Sequence, residues 1–217
     1  MTRVWITRTE PGASETAARV RDMGLEPVVA PLLETVPLDA RPPALSEAVA
    51  FTSPNGPRVY SGPTGIPAWC VGEATAEAAR AKGFGDVRRG GLDVADLAAR
   101  LTYELDRPLV HWAGAHVAGD LVGALRDAGH SVRRAVAYRA EAVSGCPVAE
   151  PVEIVLLHSP RAARLFADIA PEMARLAVCL SPRVERVVEP VPDLRRFTAE
   201  EPTEAALMTA LSRAANA

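Results

Sequence analysis

The sequence predicts an α/β protein built from two parallel-sheet modules, and three observations carry that prediction. Short apolar runs alternate with helical stretches along nearly the whole chain, the pattern of parallel strands covered on both faces. Landmarks recur about half a chain apart: Arg21, Asp22 and Gly24 return as Arg126, Asp127 and Gly129 at one spacing of 105 residues. The stretch Ala50-Phe51-Thr52-Ser53-Pro54-Asn55-Gly56 also returns in altered form as Leu156-Leu157-His158-Ser159-Pro160-Arg161-Ala162. A repeat of this size implies two similar modules and not a solenoid, whose period is roughly 20 to 50 residues.

Taken in order, Val4 to Thr7 reads as a strand, and Thr9 with Glu10-Pro11 opens a helix over Ala13 to Met23 that Gly24 stops. Leu25 to Pro31 is again strand-like, and Leu32 to Leu38 stays extended between prolines. Pro37, Pro42 and Pro43 form a stiff lead-in, because each fixes its own φ and biases the preceding residue towards extended geometry. The middle alternates regularly: strand Ala48 to Thr52, strand Ala68 to Val71, helix Glu73 to Lys82, strand Asp86 to Arg88, helix Val94 to Leu105. Leu109 to Trp112, Ala118 to Ala128 and His130 to Tyr138 then repeat the opening strand, helix and strand. After a loose segment, Ser144 to Pro151, come strand Ile154 to Leu157, helix Arg161 to Ile169 and strand Ala177 to Leu180. A short helix Val184 to Val188, strand Arg195 to Phe197 and helix Thr203 to Ala214 finish the chain. This makes about five strands per module. Trp5, Trp69 and Trp112 all fall in strands, where core packing is their expected use.

Both Ser-Pro copies carry a chemical expectation. Ser suits a helix cap and Pro the first helical turn, so each copy predicts a helix N-terminus at the carboxyl end of a strand. Free backbone N–H groups and the helix dipole favour anions there. Any such site is local, since a net charge of -3 and a pI near 5.9 give no basic field to recruit nucleic acid. With 48% hydrophobic and 24% charged residues, the composition is that of a soluble globular protein. No run of 18 apolar residues and no secretory h-region occurs, so neither membrane spanning nor secretion is expected. Cys70, Cys146 and Cys179 are too few and too scattered for a disulfide framework or a zinc site, which suits a cytoplasmic setting. His111, His116, His130 and His158 lack metal-ligand spacing and read as structural or exposed. Nucleotide fingerprints and a G-x-S-x-G elbow are missing too.

In order and spacing, a set of short motifs resembles the uroporphyrinogen-III synthase family. They are Ile6-Thr7-Arg8 with Glu10, Ala30-Pro31-Leu32-Leu33-Glu34, Phe51 to Gly56, Val71-Gly72-Glu73-Ala74-Thr75-Ala76, Ala128-Gly129-His130, Val136-Ala137-Tyr138-Arg139 and Leu180-Ser181-Pro182. The resemblance implies two flavodoxin-like modules joined by a two-stranded linker, with a cleft between them for the substrate. Leu32 to Leu38 and Val136 to Val143 would be the linker strands, module one residues 1–35 plus 141–217, and module two residues 36–140. It further implies a cytoplasmic monomer acting in tetrapyrrole biosynthesis on a small molecule, the linear tetrapyrrole hydroxymethylbilane, with no cofactor, metal, nucleic acid or membrane. That substrate bears eight carboxylates, loses its terminal hydroxyl to give an azafulvenium cation, and closes with inversion of the last ring through a spiro intermediate.

For such chemistry a site of backbone N–H groups and small hydroxyls is physically sensible, because many cations would oppose the developing positive charge. By position, Ser53, Asn55, Gly56, Gly72, Thr75, Ser159 and Ser181 fit substrate binding, each with a plainer use as a helix cap or turn residue. Arg8, at the end of the first strand, can pair a substrate carboxylate. The resemblance makes Tyr138 the proton donor to the leaving hydroxyl, against a plainer use as a linker aromatic that packs at the hinge. Three departures stand out. Ala113-Gly114-Ala115 replaces the family's usual Arg-Gly, His158 stands where a threonine is usual, and Arg183 with Val184 replaces hydroxyl residues, Arg183 offering a compensating cation. These leave a second reading open: a divergent member that keeps the fold and binds or transforms another polycarboxylate without synthase activity.

Overall fold

A computed structural model describes residues 1–217, and the chain divides into two compact units: Met1–Glu34 with Glu141–Ala217, and Thr35–Ala140. Unit one holds strands β1 (Arg3–Ile6), β2 (Glu26–Val29), β9 (Val152–Leu157), β10 (Ala174–Cys179) and β11 (Arg195–Thr198) in the order β11-β10-β9-β1-β2. All four pairings are parallel. Side chains alternate across the sheet as the pleat requires. Val4, Ile6, Ile154, Leu156 and Val178 pack against helices α1 (Gly12–Asp22) and α8 (Glu204–Ala215). Trp5, Val155, Leu157 and Ala177 face the opposite way, onto α6 (Pro160–Ile169) and α7 (Pro182–Val188). Near-continuous apolar strands result because both faces are covered.

Unit two holds β3 (Leu33–Pro37), β4 (Ala48–Phe51), β5 (Ala68–Cys70), β6 (Val87–Arg89), β7 (Leu109–Gly114) and β8 (Val132–Ala142) in the order β3-β8-β7-β4-β5-β6. From β8 to β6 the neighbours are parallel. The unit boundaries fall within β3 and β8, which are neighbours in this sheet. Leu38 N–H donates to Ala137 O and Val143 N–H to Leu32 O, the register of an antiparallel pair. One face packs Phe51, Trp112 and Tyr60 with α2 (Asn55–Arg58) and α3 (Glu73–Lys82). On the other, Trp69 and Leu109 meet α4 (Val94–Glu104) and α5 (Leu121–Asp127). All three tryptophans are buried.

Elements stand close to where the sequence puts them, with three differences. The helix expected from Ala118 starts only at Leu121, because Gly119 turns the chain at φ 80° and Asp120 caps the helix through the N–H of Gly123 at 2.9 Å. β7 runs longer than its apolar core, to Gly114, since ladder bonds continue past the hydrophobic residues, while β8 continues to Ala142 through the expected linker strand Val136 to Val143. The first Ser-Pro copy yields only the single turn of α2, whereas the second yields a helix of 10 residues. The Ser61-Gly62-Pro63 run downstream keeps the first from propagating.

Candidate functional site

In unit one the crossovers reverse direction between β1 and β9, so the carboxyl ends of these two strands form the switch point of the sheet. Thr7 and Arg8 follow β1; His158 and Ser159 follow β9. Thr7 is buried and its hydroxyl donates to Leu156 O at 2.7 Å, tying the two strand ends together. Ser159 caps α6, accepting the Ala162 N–H at 3.1 Å. Ser181 occupies the cap position of α7 but accepts no hydrogen bond there, leaving its hydroxyl uncommitted, and Arg183 is exposed one residue beyond Pro182.

Arg8 is not idle at this rim. Its Nη1 donates to Glu204 Oε2 at 2.9 Å, and its guanidinium lies over α1, where a side chain at Gly12 would collide with it. Thr16 donates to the other oxygen of Glu204 at 2.5 Å. His158 Nε2 lies 3.4 Å from Glu204 Oε2, within ion-pair distance, yet neither ring nitrogen has an aligned hydrogen-bond partner. Burial alone pushes the Glu204 carboxyl up, but His158, Thr16 and Arg8 outweigh it and hold the pKa down at about 2.

The second rim belongs to unit two, where direction reverses between β4 and β7. Ser53 follows β4, and its hydroxyl accepts the Asn55 N–H at 3.3 Å; Asn55 opens α2. Gly56 has a packing reason to be glycine: a Cβ there would lie 2.9 Å from the Phe51 ring and 3.2 Å from Trp112 O. Gly72 sits at φ 72° before α3 with no side chain to cap the helix, and its N–H goes to Gly91 O. Thr75, a turn further into α3, is buried and packs.

Tyr138 pairs with Gly114, the last residue of β7, and so stands at the carboxyl end of this sheet. Its ring lies on Gly114 so closely that a Cβ there would come within 2.7 Å of Cε2. Its carbonyl accepts the Ala115 N–H, while its hydroxyl bonds to no protein group. Beside it, Arg134 reaches from β8 to the carbonyls of Gly114 and Ala115, bringing a cation to the segment where Ala113 and Ala115 offer none. His111 Nε2 meets Thr52 Oγ1 at 3.1 Å. Burial, helped by the charge of Arg134, drives the His111 pKa to about 4, so this imidazole is neutral at pH 7 and holds Thr52 in place.

Thus Arg8, Ser159, Ser181 and Arg183 gather in unit one, and Ser53, Asn55, Gly56, Gly72, Thr75 and Tyr138 in unit two. Sequence reading missed Glu204, Thr16 and Arg134. A Glu in the first turn of a helix is accounted for by the helix dipole, so nothing local shows that Glu204 also serves Arg8, 196 positions away. A surface depression of about 360 Å³ lined by Glu200, Glu201, Ala206, Thr209 and Arg213 lies on α8 and the loop before it, and its two carboxylates make it a poor home for a polyanion. No three His, Cys, Asp or Glu side chains converge as metal ligands, and no helix is long and apolar enough to cross a membrane.

The family model described as uroporphyrinogen-III synthase HemD matches residues 14–209. Among solved structures, the uroporphyrinogen-III synthetase of Helicobacter pylori superposes with a TM-score of 0.61 at 17% identity, covering 98% of this chain and 100% of that one. A mutant uroporphyrinogen III synthase from Thermus thermophilus gives a TM-score of 0.47 at 14% identity over 100% of this chain and 99% of that one. Comparison with curated protein sequences found no match.

Proposed function

The chain belongs to the uroporphyrinogen-III synthase family, and from that premise we propose how its two rims act on the substrate. The family's enzymes are cyclising hydro-lyases of tetrapyrrole biosynthesis, and this chain is one of them. It closes hydroxymethylbilane to uroporphyrinogen III with loss of water and inversion of the last pyrrole ring. Spontaneous closure gives the wrong isomer, so the task is positioning together with one proton transfer.

Tyr138 gives the proton. The observation that carries this role is its hydroxyl, free of protein partners, at the carboxyl end of β7 and β8 with the ring braced on Gly114. A phenol O–H donates to a departing hydroxyl without placing a positive charge beside the cation that forms. Carboxylates are held by two kinds of group. Arg8, Arg134 and Arg183 supply charge at the strand ends, while Ser53, Asn55 and the uncommitted Ser181 hydroxyl supply neutral hydrogen bonds. The backbone at Ser159, where α6 opens, offers its N–H, whereas Gly56 and Gly72, whose N–H groups are spent on Ser53 O and Gly91 O, keep the chain at the strand ends free of side chains. Thr75 is left to packing.

The modules themselves are flavodoxin-like on this reading. Numbered within its unit, the first sheet runs 2-1-3-4-5, the flavodoxin order, and the second gives the same order when counted from β7. Module one is residues 1–35 plus 141–217 and module two 36–140. The protein works as a monomer in the cytoplasm, a setting that suits its three free cysteines.

The reading is tested by incubating the protein with freshly generated hydroxymethylbilane, oxidising the products and separating the isomers. The type III isomer in excess over spontaneous type I is the expected result. Type I alone from folded protein overturns it and favours a divergent member acting on another polycarboxylate.

A further inference from the structure

We propose that Glu204 is a built-in stand-in for a substrate carboxylate on Arg8, and that His158 is the positioning residue that lets Glu204 release it. The proposal rests on the reading in which Arg8 binds a carboxylate of the tetrapyrrole.

Arg8 stands at the switch point of unit one with its side chain 35% exposed, and Gly12 leaves the slot in which its guanidinium lies. The group that would recognise a carboxylate already holds one, delivered by the first residue of α8. Glu204 does not depend on Arg8 alone. Thr16 donates to Oε1, and His158 Nε2 faces Oε2, the same oxygen that Arg8 holds.

His158 is the unusual member. Its side chain is only 9% exposed, yet neither ring nitrogen is hydrogen-bonded, and buried polar groups are seldom left so. If Arg8 turns to a substrate carboxylate, Oε2 is freed and His158 closes the bond it lacks. Arg8 keeps an anionic partner throughout, and Glu204 keeps two donors. Neither half-buried charge is stranded, which is the usual penalty for breaking an ion pair from one side. Without His158 the exchange strands Glu204 and costs more. Both residues thus act through Arg8 on affinity and touch no reacting atom.

The experiment measures KM and kcat for type III product from hydroxymethylbilane across a small set of variants. Arg8→Ala raises KM; if it does not, Arg8 binds no substrate carboxylate, and the proposal falls with that assignment while the synthase assignment stands. Given that rise, Glu204→Gln lowers KM by about threefold to tenfold at unchanged kcat, the scale of one half-buried charge pair. His158→Phe raises KM by a similar factor, and His158→Gln, which keeps a donor, restores it. In the Glu204→Gln background His158→Phe has no effect, because no carboxylate remains to be rehoused. Should the glutamine variant not fold, Glu204→Asp loosens the grip on Arg8 and gives the same fall in smaller measure. A rise in KM on loss of the Glu204 carboxylate, or additive effects of Glu204→Gln and His158→Phe, makes the contact a plain staple and overturns the proposal.

Discussion

The Tyr138 hydroxyl bonds to nothing else in the protein, so removing it separates chemistry from packing. Tyr138→Phe should lower kcat by roughly tenfold to a hundredfold, within or below the usual reach of one general acid because water can take over in part, and leave KM and the melting temperature near those of the parent. A packing role predicts the reverse pattern. Gly114 supplies a second handle on the same group. An added Cβ would lie 2.7 Å from Cε2 and 3.0 Å from Cζ, so the ring must slide off its seat. Gly114→Ala should therefore lose kcat to a similar degree, and Gly114→Ala with Tyr138→Phe should be no slower than Tyr138→Phe alone. Multiplying losses would show that Gly114 matters for another reason.

At the scale of the element, two serines that look alike in sequence do different things. Ser159 spends its hydroxyl on the α6 cap, whereas Ser181 before α7 spends its hydroxyl on nothing. Ser159→Ala should cost about 1 kcal/mol and lower the melting temperature by about 2–4 °C. Ser181→Ala should leave melting unchanged and raise KM for hydroxymethylbilane. Equal thermal penalties would remove the distinction. A similar contrast separates α2 from α6: a Ser-Pro start nucleates a helix, but only residues downstream can extend it, and Ser61-Gly62-Pro63 do not.

Across the whole molecule, each unit carries a carboxylate whose pKa is lowered by a partner distant in sequence. Glu204 ties α8 to Arg8 and Thr16 in unit one. Glu47 joins the segment before β4 to Arg133 of β8 in unit two, and the Arg133 hydrogen bond lowers its pKa against the cost of burial. A carboxyl whose pKa is depressed by folding stabilises above its unfolded value and loses that contribution as pH falls. For Glu204 the window runs from about 4.5 down to about 2, and the contribution is at most roughly 3 kcal/mol. Urea midpoints measured from pH 6 to pH 2 should fall through this window, and Glu204→Gln should flatten the fall. An unchanged acid limb in that variant would show that the carboxylate is not coupled to folding.

Local chemistry determined most of the elements, since apolar runs bounded by glycine, proline and capping residues settle strand and helix within a few neighbours. The helix Glu73–Lys82 stands where the sequence puts it because Gly72 and Gly83, both at positive φ, close its two ends. The internal repeat, too, was legible as a spacing of landmarks. Tertiary structure decided which elements share a sheet: β1 and β2 from the start of the chain join β9 to β11 from its end. It also decided what each polar group spends its bonds on. Arg8 meets Glu204 across 196 positions, Arg134 reaches the Gly114 carbonyl from the neighbouring strand, and His158 lies buried with both nitrogens unbonded. Such contacts leave no trace in local pattern, because they depend on which strand ends are brought side by side and on how much water the fold removes from around them.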